Sequence, residues 1–337
     1  MKIAIIGAGA IGSVVAGYLA KAGEDVVLIG RQDQVDAIKK NGLSIQGVRG
    51  TETWRLRALT RLDKKYDLVI FAVKTQDLED AYQHNAEFLE ECLVMTSQNG
   101  VQADNILSGH YEKDKIISSI VMFGSTYVRP GEITFNFDGG WIMGKPYAPN
   151  DPTVHKIADV LNRAFKITVV NDIMGMKWLK LFINFNNCIP ALIGKSMQET
   201  FEDMDLCRFS ILLLKEGVDI VQKAKIELVS LPDFPKERTL GLAAMPVEQA
   251  AGVINKVLTT LSKEPLYGSI LQSILRKKTS EIDFINGEVL QLANHFHLKA
   301  PLNERVVEMV HMVEQTGKFF TVENVKREFQ LTAASVK

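Results

Sequence analysis

The first thirty-one residues, MKIAIIGAGAIGSVVAGYLAKAGEDVVLIGR, constrain the fold more than any other stretch. An apolar run from Lys2 to Ile6 leads directly into Gly7-Ala8-Gly9-Ala10-Ile11-Gly12, and then into a helical pattern that Gly23 ends. A G-x-G-x-x-G loop is a weak signal alone. Placed directly after a strand and directly before a helix, it marks a dinucleotide-binding βαβ unit. Each glycine then has a task. Gly7 allows the tight turn, Gly9 lets the backbone approach a pyrophosphate, and Gly12 lets helix and strand pack closely. The helix N-terminus offers unpaired N–H groups and the positive end of its dipole to the phosphates. The competing reading is a structural turn in a nucleotide-free α/β domain, which the strand–loop–helix order disfavours.

Which dinucleotide is expected depends on the end of the second strand. An NAD site has an acid there, hydrogen-bonded to the ribose 2′-OH. Here the strand DVVLIGR ends on Arg31. A guanidinium binds a 2′-phosphate bidentately where an acid would repel it, so NADPH is expected. Asp33, two residues on, argues for caution, and a solvated surface arginine is the bland alternative.

Further along, short apolar runs alternate with amphipathic stretches. LSIQG and TWRLRAL read as strands of a hairpin, YDLVIFAVK and CLVMTSQNG as buried strands, and residues 115–145 as two or three more. Strand and helix in alternation imply a parallel sheet, with Arg31, Lys74 and Asn99 at the carboxyl ends of strands, where open α/β sheets bind ligands. PYAPNDP marks a change of texture, followed by one more helix and one more strand. From residue 174 helical periodicity dominates. The expectation is an α/β chain: an N-terminal Rossmann-type parallel sheet over 1–170, then an all-helical C-terminal domain over 171–337 whose polar tail frays.

A net charge of -1 gives no electrostatic case for nucleic acid or a membrane surface. Cys92, Cys188 and Cys207 lie far apart and read as buried free thiols of a reducing compartment. No Cys and His set has zinc spacing, and His295 and His297 read as solvated. Neither a signal peptide nor a membrane-length apolar run is visible, so a cytoplasmic location is expected.

Three later segments carry a resemblance: VIFAVKTQDLEDA with QNGVQADNIL; KWLKLFINFNNCIPALIGKS; and SILQSILRKKTSEIDFINGEVLQLANHFHLKAPLNERVVEMV. In this order and spacing they resemble ketopantoate reductases (2-dehydropantoate 2-reductases) along nearly the whole chain. The resemblance implies NADPH-dependent reduction of 2-dehydropantoate to (R)-pantoate, on the route to pantothenate and coenzyme A. It also implies an active site in a cleft between two domains. Carried over residue by residue, it makes Lys180 the catalytic lysine and Asn184 the first substrate-binding asparagine. It makes Ser269 a substrate serine and Glu281 the acid of EIDFING. Asn99 falls at the cofactor–substrate junction and Lys74 near the cofactor. The family commonly has a second asparagine four residues after the first; here that position is Cys188, with Asn186 and Asn187 just before it.

The residues suit the chemistry. Ketone reduction needs a hydride, an oriented carbonyl, and a donor that stabilises and protonates the alkoxide. Lys180 and Asn184, four apart, share one helix face, with Lys177 close to it. Glu281 serves Lys180 or a cofactor ribose hydroxyl; pattern alone would make it a helix-surface partner of Lys277 or Lys278. Asn99 before Gly100 also fits a plain turn. Two alternatives stand beside this reading: a related Rossmann dehydrogenase acting on another 2-oxo or hydroxy acid, and a non-catalytic NADPH-binding regulator. Monomer and homodimer are both open, the latter through the small and apolar residues of LGLAAMPVEQAAGVINKVLTTL.

Overall fold

The computed structural model describes residues 1–262 and 264–331. They form two compact units that divide between Met174 and Gly175. In the first unit, β1 (Lys2–Ile6) runs into α1 (Ala10–Lys21), and β2 (Asp25–Ile29) into α2 (Gln32–Asn41). β3 (Leu43–Gly47) and β4 (Glu52–Trp54) form the expected hairpin, and β5 (Arg57–Leu59) lies parallel to β2. β6 (Leu68–Phe71) leads through a 3₁₀ turn at Thr75–Asp77 to α3 (Leu78–Leu89), and β7 (Leu93–Thr96) to α4 (Gln102–Ser108). Then come β8 (Ile116–Val121), β9 (Gly124–Arg129), β10 (Glu132–Phe137), β11 (Trp141–Gly144), α5 (Pro152–Leu161) and β12 (Ile167–Val169).

The main sheet has the order β12-β11-β8-β7-β6-β1-β2-β5 and is parallel except between β8 and β11. Side chains alternate across it. Ile3 and Ile5 pack with Val14, Val15 and Leu19 of α1 on one face. Ala4 and Ile6 pack with Leu78 and Leu89 of α3 and Leu107 of α4 on the other. Covering both faces is why these strands read as unbroken apolar runs.

Two sequence expectations need correction. TWRLRAL is not one strand: β4 joins a second sheet of order β4-β3-β10-β9, while β5 joins the main one. The 115–145 region holds four strands rather than two or three, because β9 and β10 leave the main sheet for the second. Strand periodicity records which face of a strand is buried but not which neighbour it pairs with.

The second unit is helical. α6 (Ile173–Asn184) starts just before the division and runs into it, followed by a 3₁₀ turn at Phe185–Asn187, α7 (Cys188–Ile193), α8 (Met197–Phe201) and α9 (Met204–Lys223). α10 (Lys236–Ala244), α11 (Val247–Thr259) and α12 (Ser269–Leu275) follow. After a 3₁₀ turn at Ile282–Phe284 come α13 (Asn286–His295), α14 (Pro301–Thr316) and α15 (Val322–Glu328). α9 starts cleanly because the Asp203 carboxylate accepts from the N–H groups of Asp205 and Leu206. It is the central helix, packed by α8, α10, α11, α13 and α14, with Phe209, Ile211 and Val221 fully buried. The frayed tail expected at the C-terminus lies outside the described residues from 332 onward.

Candidate functional site

Gly7 ends β1 at φ +121, a backbone conformation that L side chains rarely adopt. A Cβ there would lie 2.6 Å from the backbone of Ala72 and Val73, just past β6. One on Gly12 would lie 2.0 Å from the Gly7 carbonyl oxygen. These two glycines are required by the loop's own packing. Gly9 is different, because nothing lies within 4 Å of a Cβ built on it. It caps α1 with no side-chain partner, and the first helical bond runs from the Ser13 N–H to the Gly9 carbonyl. The N–H groups of the first turn therefore have no acceptor within the helix and border open space. A pyrophosphate fits there, on Gly9 and the first turn of α1.

Gly7, Arg31, Lys74 and Asn99 follow β1, β2, β6 and β7, which are neighbours in the sheet, so all four lie along its carboxyl edge. Arg31 is exposed, and its Nε stands 3.6 Å from Asp33 Oδ1. A pair that long and that solvated does not lock the guanidinium away from another anion. Gln34, which the sequence reading passed over, is 4% exposed. Its Nε2 donates to the Ala8 carbonyl at 2.8 Å and its Oε1 accepts from the Arg31 N–H at 3.0 Å. One side chain thus ties the glycine loop to Arg31. A glutamine in the first turn of a polar helix gives no sequence signal for such a role.

The Asn99 loop is braced in the same manner. Gln98 Nε2 donates to the Phe71 and Val73 carbonyls, binding the end of β7 to the end of β6 beside Lys74. The loop's two ends are joined by Thr96 Oγ1, which donates to the buried Asp104 carboxylate at 2.6 Å.

In the helical unit, Lys180 and Asn184 lie one turn apart on α6. Lys180 is half-buried and, among the described residues, has no hydrogen-bond or ion-pair partner. Burial therefore lowers its pKa to about 8. Lys177, a turn earlier, is 3% exposed. α6 stops at Asn184 and does not carry the helix face on to Cys188. Pro190 has no N–H to donate and its ring opposes the carbonyl four residues back, so the chain tightens into the 3₁₀ turn before restarting as α7. Cys188 is fully buried, donates Sγ–H to the Phe185 carbonyl, and burial pushes its thiol up to about 12. It is a core residue. Asn186 accepts from Ser210 Oγ at 2.6 Å and holds α9. Asn187 lies against Gly268, next to Ser269, whose buried hydroxyl has no hydrogen-bond partner among the described residues.

Glu281 is not on a helix with Lys277 and Lys278. α12 ends at Leu275, Lys277 turns to φ +54, and Glu281 opens the 3₁₀ turn that follows. A neighbouring clamp holds this segment. The Ser280 N–H donates to Glu314 Oε1 at 2.7 Å, and His311 bridges Glu314 and Asp283 at 3.0 and 2.9 Å. Burial disfavours the charged imidazole, but the hydrogen bonds to Asp283 and Glu314 outweigh it and raise the His311 pKa. Among the described residues no three His, Cys, Asp or Glu side chains are grouped to hold a metal ion, and no helix is long and apolar enough to cross a membrane.

Comparison with known proteins places these features in a family. Residues 3–147 match the family profile "Ketopantoate reductase PanE/ApbA", and residues 172–314 match "Ketopantoate reductase PanE/ApbA C terminal". A 2-dehydropantoate 2-reductase of Pyrococcus horikoshii is 31% identical over 325 residues, spanning 94% of this chain and 99% of the relative. That of Pyrococcus abyssi is 32% identical over 307 residues, 90% and 94% of the two chains. Among solved structures, a D-mandelate dehydrogenase with NADH and anilino(oxo)acetate aligns with a TM-score of 0.82 at 22% identity, over 94% of this chain and 99% of that one. A ketopantoate reductase from Ralstonia eutropha JMP134 aligns with a TM-score of 0.79 at 23% identity, with the same coverage. At such identities the solved structures speak to the fold alone.

Proposed function

The chain belongs to the ketopantoate reductase family, and from that premise we propose that it reduces 2-dehydropantoate to (R)-pantoate with NADPH. The first unit supplies the cofactor site. Gly9 and the first turn of α1 take the pyrophosphate, Arg31 the 2′-phosphate, and Lys74 and Asn99 the part of the cofactor nearer the reacting carbon. When bound, NADPH supplies the hydride.

The second unit supplies the substrate contacts and the proton. Asn184 and Ser269 are suited to the carboxylate and hydroxyl of such a substrate, and the unpartnered Ser269 hydroxyl is ready to bond. Lys180 carries the reading. Its pKa of about 8 keeps it mainly an ammonium at neutral pH, yet a far better acid than a solvated lysine. Beside a ketone oxygen, its charge stabilises the developing alkoxide in surroundings poorer in water, and its Nζ–H then moves to that oxygen. Glu281 makes no ion pair with Lys180, so its part in this reading is to hold a cofactor hydroxyl.

The test is NADPH oxidation followed by absorbance, with ketopantoate set against a panel of other 2-oxo acids and with NADH as rival cofactor. Fast turnover of ketopantoate, lost in Lys180→Ala while NADPH still binds, is expected. Good turnover of another acid with none of ketopantoate overturns the substrate. No turnover of any acid overturns the enzyme.

A further inference from the structure

We propose that His311 is a positioning residue for Glu281: with Glu314 and Asp283 it clamps the turn that carries this acid. The inference rests on the reductase reading above, in which Glu281 holds a cofactor hydroxyl. Local structure alone does not fix Glu281. α12 ends at Leu275, Arg276 to Thr279 are exposed, and Lys277 takes a φ of +54. The turn that Glu281 opens spans only Ile282–Phe284, and a single 3₁₀ turn is weak by itself.

What holds the segment comes from α14. On one side of Glu281, the Ser280 N–H donates to Glu314 Oε1 at 2.7 Å. On the other, Asp283 Oδ1 lies 2.9 Å from His311 Nε2. His311 Nδ1 stands 3.0 Å from Glu314 Oε2, so the imidazole joins the two ends into one clamp. Between them Ile282 is fully buried and anchors the turn.

An imidazole facing a carboxylate at each nitrogen needs both N–H groups, and only its charged form has them. The raised pKa of His311 agrees with that demand. Among the described residues the imidazole bonds to Asp283, from the turn, and Glu314, on its own helix. Of the other elements packed against α14, α13 brings the buried Glu288 and the exposed His295, and α7 the Cys188 thiol. α9 brings Glu216, which is engaged at the far end of α14 by the Leu302 and Asn303 N–H groups. The clamp is therefore complete below pH 6.5 and opens as pH rises through the raised value, when one carboxylate loses its donor.

The experiment compares His311→Gln, Glu281→Gln, the double variant and Asp283→Asn with the wild-type chain. The NADPH dissociation constant is read by fluorescence titration across pH, with ketopantoate turnover and Tm on the same samples. Glu281→Gln should weaken NADPH on the order of 10-fold or more. His311→Gln should weaken it about 3- to 10-fold and add nothing in the Glu281→Gln background. Wild-type affinity should step down as pH rises through the His311 pKa, and His311→Gln and Glu281→Gln should lack that step. Asp283→Asn keeps an acceptor for Nε2 but removes its charge, so the step should move to lower pH, which tests the clamp even where His311→Gln does not fold. A His311→Gln effect as large without Glu281 as with it marks a merely structural residue and overturns the inference. A step that Asp283→Asn leaves in place, or wild-type NADPH binding in Glu281→Gln, overturns it too. In each of these cases ketopantoate turnover by the wild-type chain leaves the reductase reading intact. A wild-type chain that turns over no 2-oxo acid sinks both.

Discussion

Replacing Lys180 by methionine should abolish turnover and at the same time stabilise the fold. The amine sits where burial disfavours its charge, with no counter-ion among the described residues, and its pKa falls from 10.5 to about 8. At about 1.4 kcal/mol per tenfold change in proton affinity, that fall withdraws roughly 3 kcal/mol from the charged form. Solvent reaching a half-buried side chain cuts the penalty by half, to about 1–2 kcal/mol. Methionine fills similar space without the charge. Each kcal/mol shifts Tm by about 2–4 °C in a unit of this size, so Lys180→Met should melt roughly 2–8 °C higher at pH 7.

The pH dependence has a definite sign. The folded pKa lies below the unfolded one, so the penalty is complete below about pH 8, shrinks between there and 10.5, and vanishes above. The advantage of methionine should follow the same course. Calorimetry at pH 7 and pH 10.5, with initial rates on the same samples, tests this. Wild-type kcat/KM should fall as pH rises through about 8, because only the ammonium donates a proton. A variant no more stable than wild type at pH 7, or one that gains as much at pH 10.5, would refute the reasoning.

Other residues give separable outcomes. Gly9→Ala meets no atom within 4 Å, so its Tm should match wild type while NADPH affinity falls about tenfold or more, as seen by titration. Gly12→Ala drives a Cβ to 2.0 Å from the Gly7 carbonyl and should lose roughly 1–3 kcal/mol or fail to fold, as measured by denaturant unfolding. Arg31→Asp should move the ratio of NADPH to NADH affinities about 10- to 100-fold toward NADH; an unchanged ratio would return Arg31 to the solvated surface. Gln34→Ala leaves the Ala8 carbonyl and Arg31 N–H unpaired, and should weaken NADPH binding while kcat at saturating cofactor holds.

What the chain's order of residues determined by itself is local. The run Lys2–Ile6, the glycines after it and the helix that follows each depend on residues adjacent in sequence, and so does the helical texture after residue 174. The family motifs were equally readable, and the resemblance they carry is why Lys180, Asn184 and Ser269 could be named as candidates before any coordinates. Tertiary structure decided whatever depends on neighbours in space. β4 and β5 part into different sheets although their sequence runs on as one strand. Gln34 becomes a clamp only because β2 lies beside β1, which brings the Ala8 carbonyl within reach. The Lys180 pKa is set by burial, which no spacing encodes. Cys188 shows the two levels meeting. Its place four residues after Asn184 was visible in the sequence, but only the 3₁₀ turn between them shows that it enters the core. Sequence spacing turns into direction only once the backbone's rise and twist are known.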